Sequence, residues 1–89
     1  MKSHINKEFR KCFLQLPDRI KKQARDNYRM WRVNPRHASL EFKRVSQKNP
    51  VYSVRVGLGW RALGIVYEDN IIGYWIGSHE DYNKRINKV

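Results

Sequence analysis

The sequence predicts an α+β fold in which two N-terminal helices pack on a four-stranded antiparallel sheet with a short C-terminal helix. Three observations carry this. Apolar residues recur at helical spacing between positions 5 and 31, four short runs rich in β-branched and aromatic residues follow between 40 and 77, and a serine followed by acidic residues opens a last helix at 78.

Ile5, Phe9, Cys12, Phe13 and Leu16 form the apolar stripe of the first helix, and Ile20, Ala24, Tyr28 and Trp31 repeat the pattern after the break at Pro17-Asp18. Pro17 suits the first turn of the second helix, and Pro35 biases Asn34 away from helical geometry, so that helix is expected to stop near Val33. Arg10, Lys11, Lys21, Lys22, Arg25, Arg29 and Arg32 take the remaining faces as a solvated surface. Strands are expected over 40–45, 51–56, 60–67 and 71–77, with turns at Ser46 to Pro50, Gly57-Leu58-Gly59 and Glu68-Asp69-Asn70. Ser78-His79-Glu80-Asp81 matches a capping box, and the helix behind it carries Tyr82 and Ile86. The expected core comprises Ile5, Phe9, Phe13, Leu16, Ile20, Ala24, Tyr28, Val54, Trp60 and Val66.

Eighty-nine residues suit a single domain over 1–89, near the lower size at which one core sustains folding without disulfides or a metal. The hydrophobic content of 40% is enough for that core, so disorder is not expected. Lys and Arg number 19 against 8 Asp and Glu, a formal charge of +11, which calls for a polyanionic partner. Sixteen of the basic residues lie at or before Arg61 and three after it, so the positive field belongs to the helices and first strands. No run approaches the roughly 18 to 20 apolar residues of a membrane span, and the N-terminus has no signal-peptide core; no membrane role and a cytoplasmic location are expected. The lone Cys12 reads as a small buried hydrophobe.

A three-residue loop at 57–59 sets Val56 opposite Trp60 and Arg55 opposite Arg61. A turn centred on Asp69-Asn70 then sets Arg61 opposite Ser78, with His79 one step beyond, so two arginines and a histidine gather at one end of the sheet. Like charges directly opposed on neighbouring strands repel, and a structure tolerates them best around an anion. A two-residue turn at Leu58-Gly59 is the competing register, and it turns Arg61 to the other face. Trp60, Ala62, Val66 and Trp75 are expected on one side of the last two strands and Leu63, Ile65, Tyr67, Ile72, Tyr74 and Ile76 on the other. Two helices cover one side only; the final helix or a partner must cover the second.

Histidine is the side chain suited to proton transfer near neutral pH, which makes His79 the candidate acid or base. The three histidines and one cysteine lack ligand spacing and no carboxylate cluster is present, so neither a metal nor another cofactor is expected. That restriction points to RNA, whose 2′-hydroxyl attacks its own phosphate and needs only a base, an acid and cationic stabilisation of the transition state. Basic and aromatic side chains on strands suit it as well.

At these residues the chain resembles the RelE/ParE superfamily of toxins from bacterial type II toxin–antitoxin systems. The resemblance rests on Tyr52-Ser53-Val54-Arg55-Val56, on Gly59-Trp60-Arg61, which is similar to the Gly-Tyr-Arg of RelE-like members, and on Ile76-Gly77-Ser78-His79, which resembles the Gly-Ser-His ending of YafQ-like ribonucleases. It implies a small sheet with two N-terminal helices packed on it, cleavage of messenger RNA at the ribosome, and neutralisation by a cognate acidic antitoxin. It further implies that Arg61 stabilises the scissile phosphate, that Arg55 stands where a phosphate-binding lysine often lies, and that His79 performs the acid–base chemistry. Lys43, Arg44, Lys48, Ser53 and Tyr82 are the candidate RNA contacts, with Ser53 in a position that is lysine in RelE itself. The N-terminal strand usual in that fold has little room before the first helix, so it is expected to be reduced or absent. A ParE-like poison of gyrase and a nucleic-acid-binding module without activity are the competing readings.

Overall fold

The computed structural model describes residues 1–89. The chain runs β1 (Lys2–Ile5), α1 (Lys7–Leu14), α2 (Asp18–Val33), a 3₁₀ turn (Ala38–Leu40), β2 (Lys43–Arg44), β3 (Val51–Val56), β4 (Trp60–Tyr67), β5 (Asn70–Ser78) and α3 (His79–Ile86). The sheet has five strands in the order β1-β5-β4-β3-β2. Strands β2 to β5 are antiparallel to their neighbours, whereas β1 lies parallel to β5, with Lys2 opposite Asn70 and Ile5 opposite Gly73.

The N-terminal strand is therefore present, against expectation. Lys2-Ser3-His4-Ile5 has little strand propensity of its own; it is held because the free edge of β5 offers hydrogen-bonding groups, as in Lys2 N–H to Asp69 O (2.8 Å) and Asn6 N–H to Gly73 O (3.0 Å). Ile5 consequently leaves the helical stripe and stands exposed on an edge strand, and α1 begins after Asn6, whose side chain accepts the Phe9 N–H. Tyr28, the other residue wrongly placed in the core, is 45% exposed, while Val66 is half-buried. The expected strand at 40–45 shrinks to two residues because Leu40, fully buried at 0% exposure, closes a 3₁₀ turn and Glu41 takes a left-handed conformation (φ 44°) that ends it.

Two cores flank the sheet. Leu16 and Ile20 from the helical side meet Val56, Ala62 and Ile76, with Phe9, Phe13, Ala24, Val54 and Trp60 packed around them. On the opposite side α3 lays Tyr82 and Ile86 over Val51, Leu63 and Trp75, which answers the need for a cover on the second apolar face. The division of residues between the faces differs from expectation. Leu63 lies opposite Trp75 but Gly64 opposite Gly73, so Tyr74 is an extra residue in β5 and every position beyond it changes side. Trp75 and Ile76 thereby exchange faces. Tyr67 pairs with Asn70, leaving Glu68 (φ 54°) and Asp69 as the turn residues rather than Asp69-Asn70.

Part of the basic charge of α2 is neutralised within the helix. Asp26 sits 3.1 Å from Lys22 and 2.7 Å from Arg29, and the Lys22 hydrogen bond, helped by the two positive charges, holds its carboxyl below the usual carboxylate range. No helix is long and apolar enough to cross a membrane.

Candidate functional site

The three-residue loop governs the site. Gly57 adopts a left-handed φ of 61°, which an L-residue with a Cβ resists, and the hairpin closes with Val56 opposite Trp60 and Arg55 opposite Arg61. The two guanidiniums therefore share the α3 face, as the first of the two registers requires. The Arg55 Nε–H donates to Gly57 O at 3.1 Å, and the Asn27 side chain donates to Arg55 O at 3.0 Å, so α2 holds this strand end from the other side.

On β5 the partner of Arg61 is Gly77 rather than Ser78, because the turn at Glu68-Asp69 moves the register by two residues and the Tyr74 bulge moves it back by one. Gly77 is needed there for a physical reason. The Trp75 ring folds back along the strand, and a Cβ at position 77 would stand 2.5 Å from its Cζ2. Ser78 then caps α3, its Oγ accepting the Asp81 N–H at 3.2 Å, and the His79 N–H donates to Gly59 O at 2.8 Å, tying the helix start to the hairpin loop that carries Arg61.

Tyr82 joins the parts. Its ring stacks with His79 (centroids 5.8 Å apart, 26° between planes), and the Arg61 guanidinium lies 5.8 Å from the same ring. Its hydroxyl donates to Ser53 Oγ at 3.3 Å. Tyr82 and Ser53 are 6% and 2% exposed, so in this fold neither offers its side chain to RNA; they support Arg61 and His79 instead. His79 itself is exposed.

Sequence reasoning missed Glu41. Its carboxylate lies 3.0 Å from Arg61 Nη1 and 4.0 Å from Arg55 Nη1, so the anion that two opposed arginines call for is supplied by the chain. Arg61 is only 16% exposed on its side chain and bears the shorter of the two contacts. No periodicity or spacing signals this, because Glu41 reaches the site through the left-handed residue after the 3₁₀ turn.

The other candidates divide. Lys43 pairs with Ser53, which puts it on the same face beside the cluster, and it is exposed. Arg44 faces the opposite side, and its guanidinium is occupied by Ser46 O (2.8 Å) and Gln47 O (3.4 Å). Lys48 belongs to the turn that precedes β3, at the far end of the strand from Arg55 and on the order of 15 Å from it.

The profile of the ParE-like toxin domain matches residues 18–84. Among solved structures, the chain is similar to the RelB-RelE antitoxin–toxin complex of Methanococcus jannaschii (20% identity, 92% of this chain and 96% of that chain, TM-score 0.74). It is similar too to a YoeB/ParE toxin of Agrobacterium tumefaciens (13%, 89% and 99%, 0.69) and to YafQ of E. coli (15%, 91% and 96%, 0.68). No curated protein is significantly similar in sequence. With α1 and α2 on one face of the sheet, α3 on the other and a profile match spanning α2 to α3, the chain belongs to the ParE-like toxin domain family, within the RelE/ParE superfamily of toxin–antitoxin toxins.

Proposed function

We propose that the protein is an mRNA endoribonuclease, acting in the cytoplasm in association with the ribosome and held in check by an acidic antitoxin. The observation that carries this reading is the convergence of Arg55, Arg61, Glu41 and His79 on one end of the α3 face, two of them bridged by the Tyr82 ring. Cleavage by an internal 2′-hydroxyl needs a proton acceptor for that hydroxyl, a proton donor for the departing 5′-oxygen and positive charge on the phosphate between them. Glu41 is suited to take the proton, His79 to give one, and the arginines to bear the phosphate charge. The bond from phosphorus to the 5′-oxygen breaks as that from the 2′-oxygen forms, leaving a 2′,3′-cyclic phosphate and a 5′-hydroxyl. The phosphate displaces the Glu41 carboxylate from Arg61 as it binds, and this frees the carboxylate to act as a base. Lys43 extends the cationic surface along the face.

The antitoxin is part of the same proposal, supported by the +11 charge and by the antitoxin-bound state of structurally similar RelE proteins. The match to a ParE-like toxin domain supports a second reading, an inhibitor of gyrase with no nuclease activity. Mapping RNA 5′ ends after induction, beside a gyrase supercoiling assay, separates the two. New 5′-hydroxyl ends with unchanged supercoiling support the nuclease; blocked gyrase with intact messages overturns it.

A further inference from the structure

Lys22, Arg25, Arg29 and Arg32 recur at three- and four-residue spacing along α2, all of them exposed, and so form one stripe about 15 Å long. The stripe faces away from the sheet, because Asn27 on the opposite side of α2 donates to Arg55 O and Ile20 and Trp31 are buried. Asp26 is the only carboxylate between its ends; Lys22 and Arg29 share it, and neither Arg25 nor Arg32 takes part in an ion pair. Each of these two rests on an aromatic ring instead. The Arg25 guanidinium lies 5.3 Å from the centroid of Phe13 on α1, and that of Arg32 lies 5.9 Å from Tyr28. A guanidinium held over a ring keeps its N–H edge free to fork onto a phosphate.

We infer that this face of α2 binds the phosphate backbone of double-helical RNA, as a second surface distinct from the arginine cleft. Composition selects a nucleic acid over a protein. Lys22, Arg25, Asp26, Arg29 and Arg32 make up the outward side, whereas the centre of a protein interface is depleted of charge and the interfaces of nucleic-acid-binding proteins are strongly positive. The rings select a duplex over a single strand, whose bases bind by stacking on aromatic faces. Tyr28 already meets both the Arg32 guanidinium and the Trp31 ring, and Phe13 meets both Arg25 and the Phe9 ring at 6.5 Å. With its rings occupied within the chain, the face contacts phosphates rather than bases, as recognition of double-stranded RNA does. The choice of RNA over DNA rests on the nuclease reading: a message in the cleft and a duplex on α2 lie on opposite sides of the sheet and are held at the same time.

The probe is a short blunt RNA duplex, whose binding to the full chain is followed by fluorescence anisotropy across a salt series, beside the mapping of new 5′ ends after induction. The duplex binds at least as tightly as DNA of the same sequence. Arg25→Gln combined with Arg32→Gln weakens binding by on the order of tenfold or more and lowers the log–log salt slope by about one for each arginine removed. Asp26→Asn frees Lys22 and Arg29 and tightens binding several-fold, a gain that damage to the fold does not produce. Wild-type affinity in the double variant overturns the assignment, as does tighter binding of the DNA duplex. Poly-glutamate of equal charge competing as well as the duplex overturns it in favour of an acidic protein partner. Duplex binding by a chain that leaves messages intact supports this surface and ends the nuclease reading; cutting without duplex binding does the reverse.

Discussion

The Glu41 carboxylate lies 3.0 Å from Arg61 Nη1, between two arginines that face each other across β3 and β4. A residue that sequence patterning placed in a strand over 40–45 thus supplies the one negative charge in contact with a cationic pair. In the proposed chemistry it has two effects of opposite sign: it competes with phosphate for Arg61, and it accepts a proton once displaced. Glu41→Gln is expected to bind RNA more tightly while cleaving it about 10²-fold more slowly. Single-turnover cleavage and filter binding on the same RNA check this; unchanged cleavage removes Glu41 from the reaction.

His79→Ala and Arg61→Ala are each expected to lower cleavage by about 10² or more, the scale of a lost acid–base group or transition-state donor. Arg55→Ala costs less, since its contact to Glu41 is the longer one. Circular dichroism is expected to show native secondary structure in all three, and EDTA leaves wild-type cleavage in place if the arginines supply the positive charge.

The Tyr82 hydroxyl and the Tyr82 ring have separable effects. Tyr82→Phe loses only the bond to Ser53 and is expected to cost about 0.5–1.5 kcal/mol of stability with cleavage nearly intact. Tyr82→Ala removes the surface on which His79 and Arg61 rest, costing about 3–5 kcal/mol and most of the activity. Urea midpoints and cleavage rates measured on both variants decide between these outcomes.

Gly77→Ala is expected to destabilise strongly, by about 2 kcal/mol or more, because the added Cβ falls within the Trp75 ring and overpacks a buried contact. Gly59→Ala, with nothing near its added Cβ, is the matched control and is expected to be close to neutral. Thermal unfolding of the two variants tests the contrast.

Lys43→Ala is expected to weaken RNA binding and reduce the salt dependence by about 0.7 in the log–log slope, the signature of one lost phosphate contact on a single strand. Arg44→Ala, whose guanidinium is already bonded within its own turn, leaves that slope unchanged.

What the sequence made legible was local. Strands β3 and β4 start and stop where their β-branched runs meet Pro50, Gly57 and Gly59, and the serine cap placed α3 to the residue. The opposition of Arg55 and Arg61 followed from the length of one loop. What it hid was set by tertiary structure. Strand β1 exists because β5 has an open edge, the Tyr74 bulge reverses which face the residues of β5 beyond it present, and Glu41 arrives through a left-handed backbone step that no pattern of side chains announces. The bulge accounts for the misplaced Trp75, and the bulge together with the tighter turn at Glu68-Asp69 accounts for the shift of Arg61 from Ser78 to Gly77.

The parallel pairing of β1 with β5 joins the first residues of the chain to residues 70–73, a separation of 68 positions. Contacts so distant in sequence close the largest loops and form late in folding. A nascent chain therefore carries β1 unpaired until β5 has been made, and His79 is added only after β5. A translation product truncated before residue 70 has neither the partner for its first strand nor the histidine. The site proposed above is thus assembled only after both β5 and α3 have been synthesised.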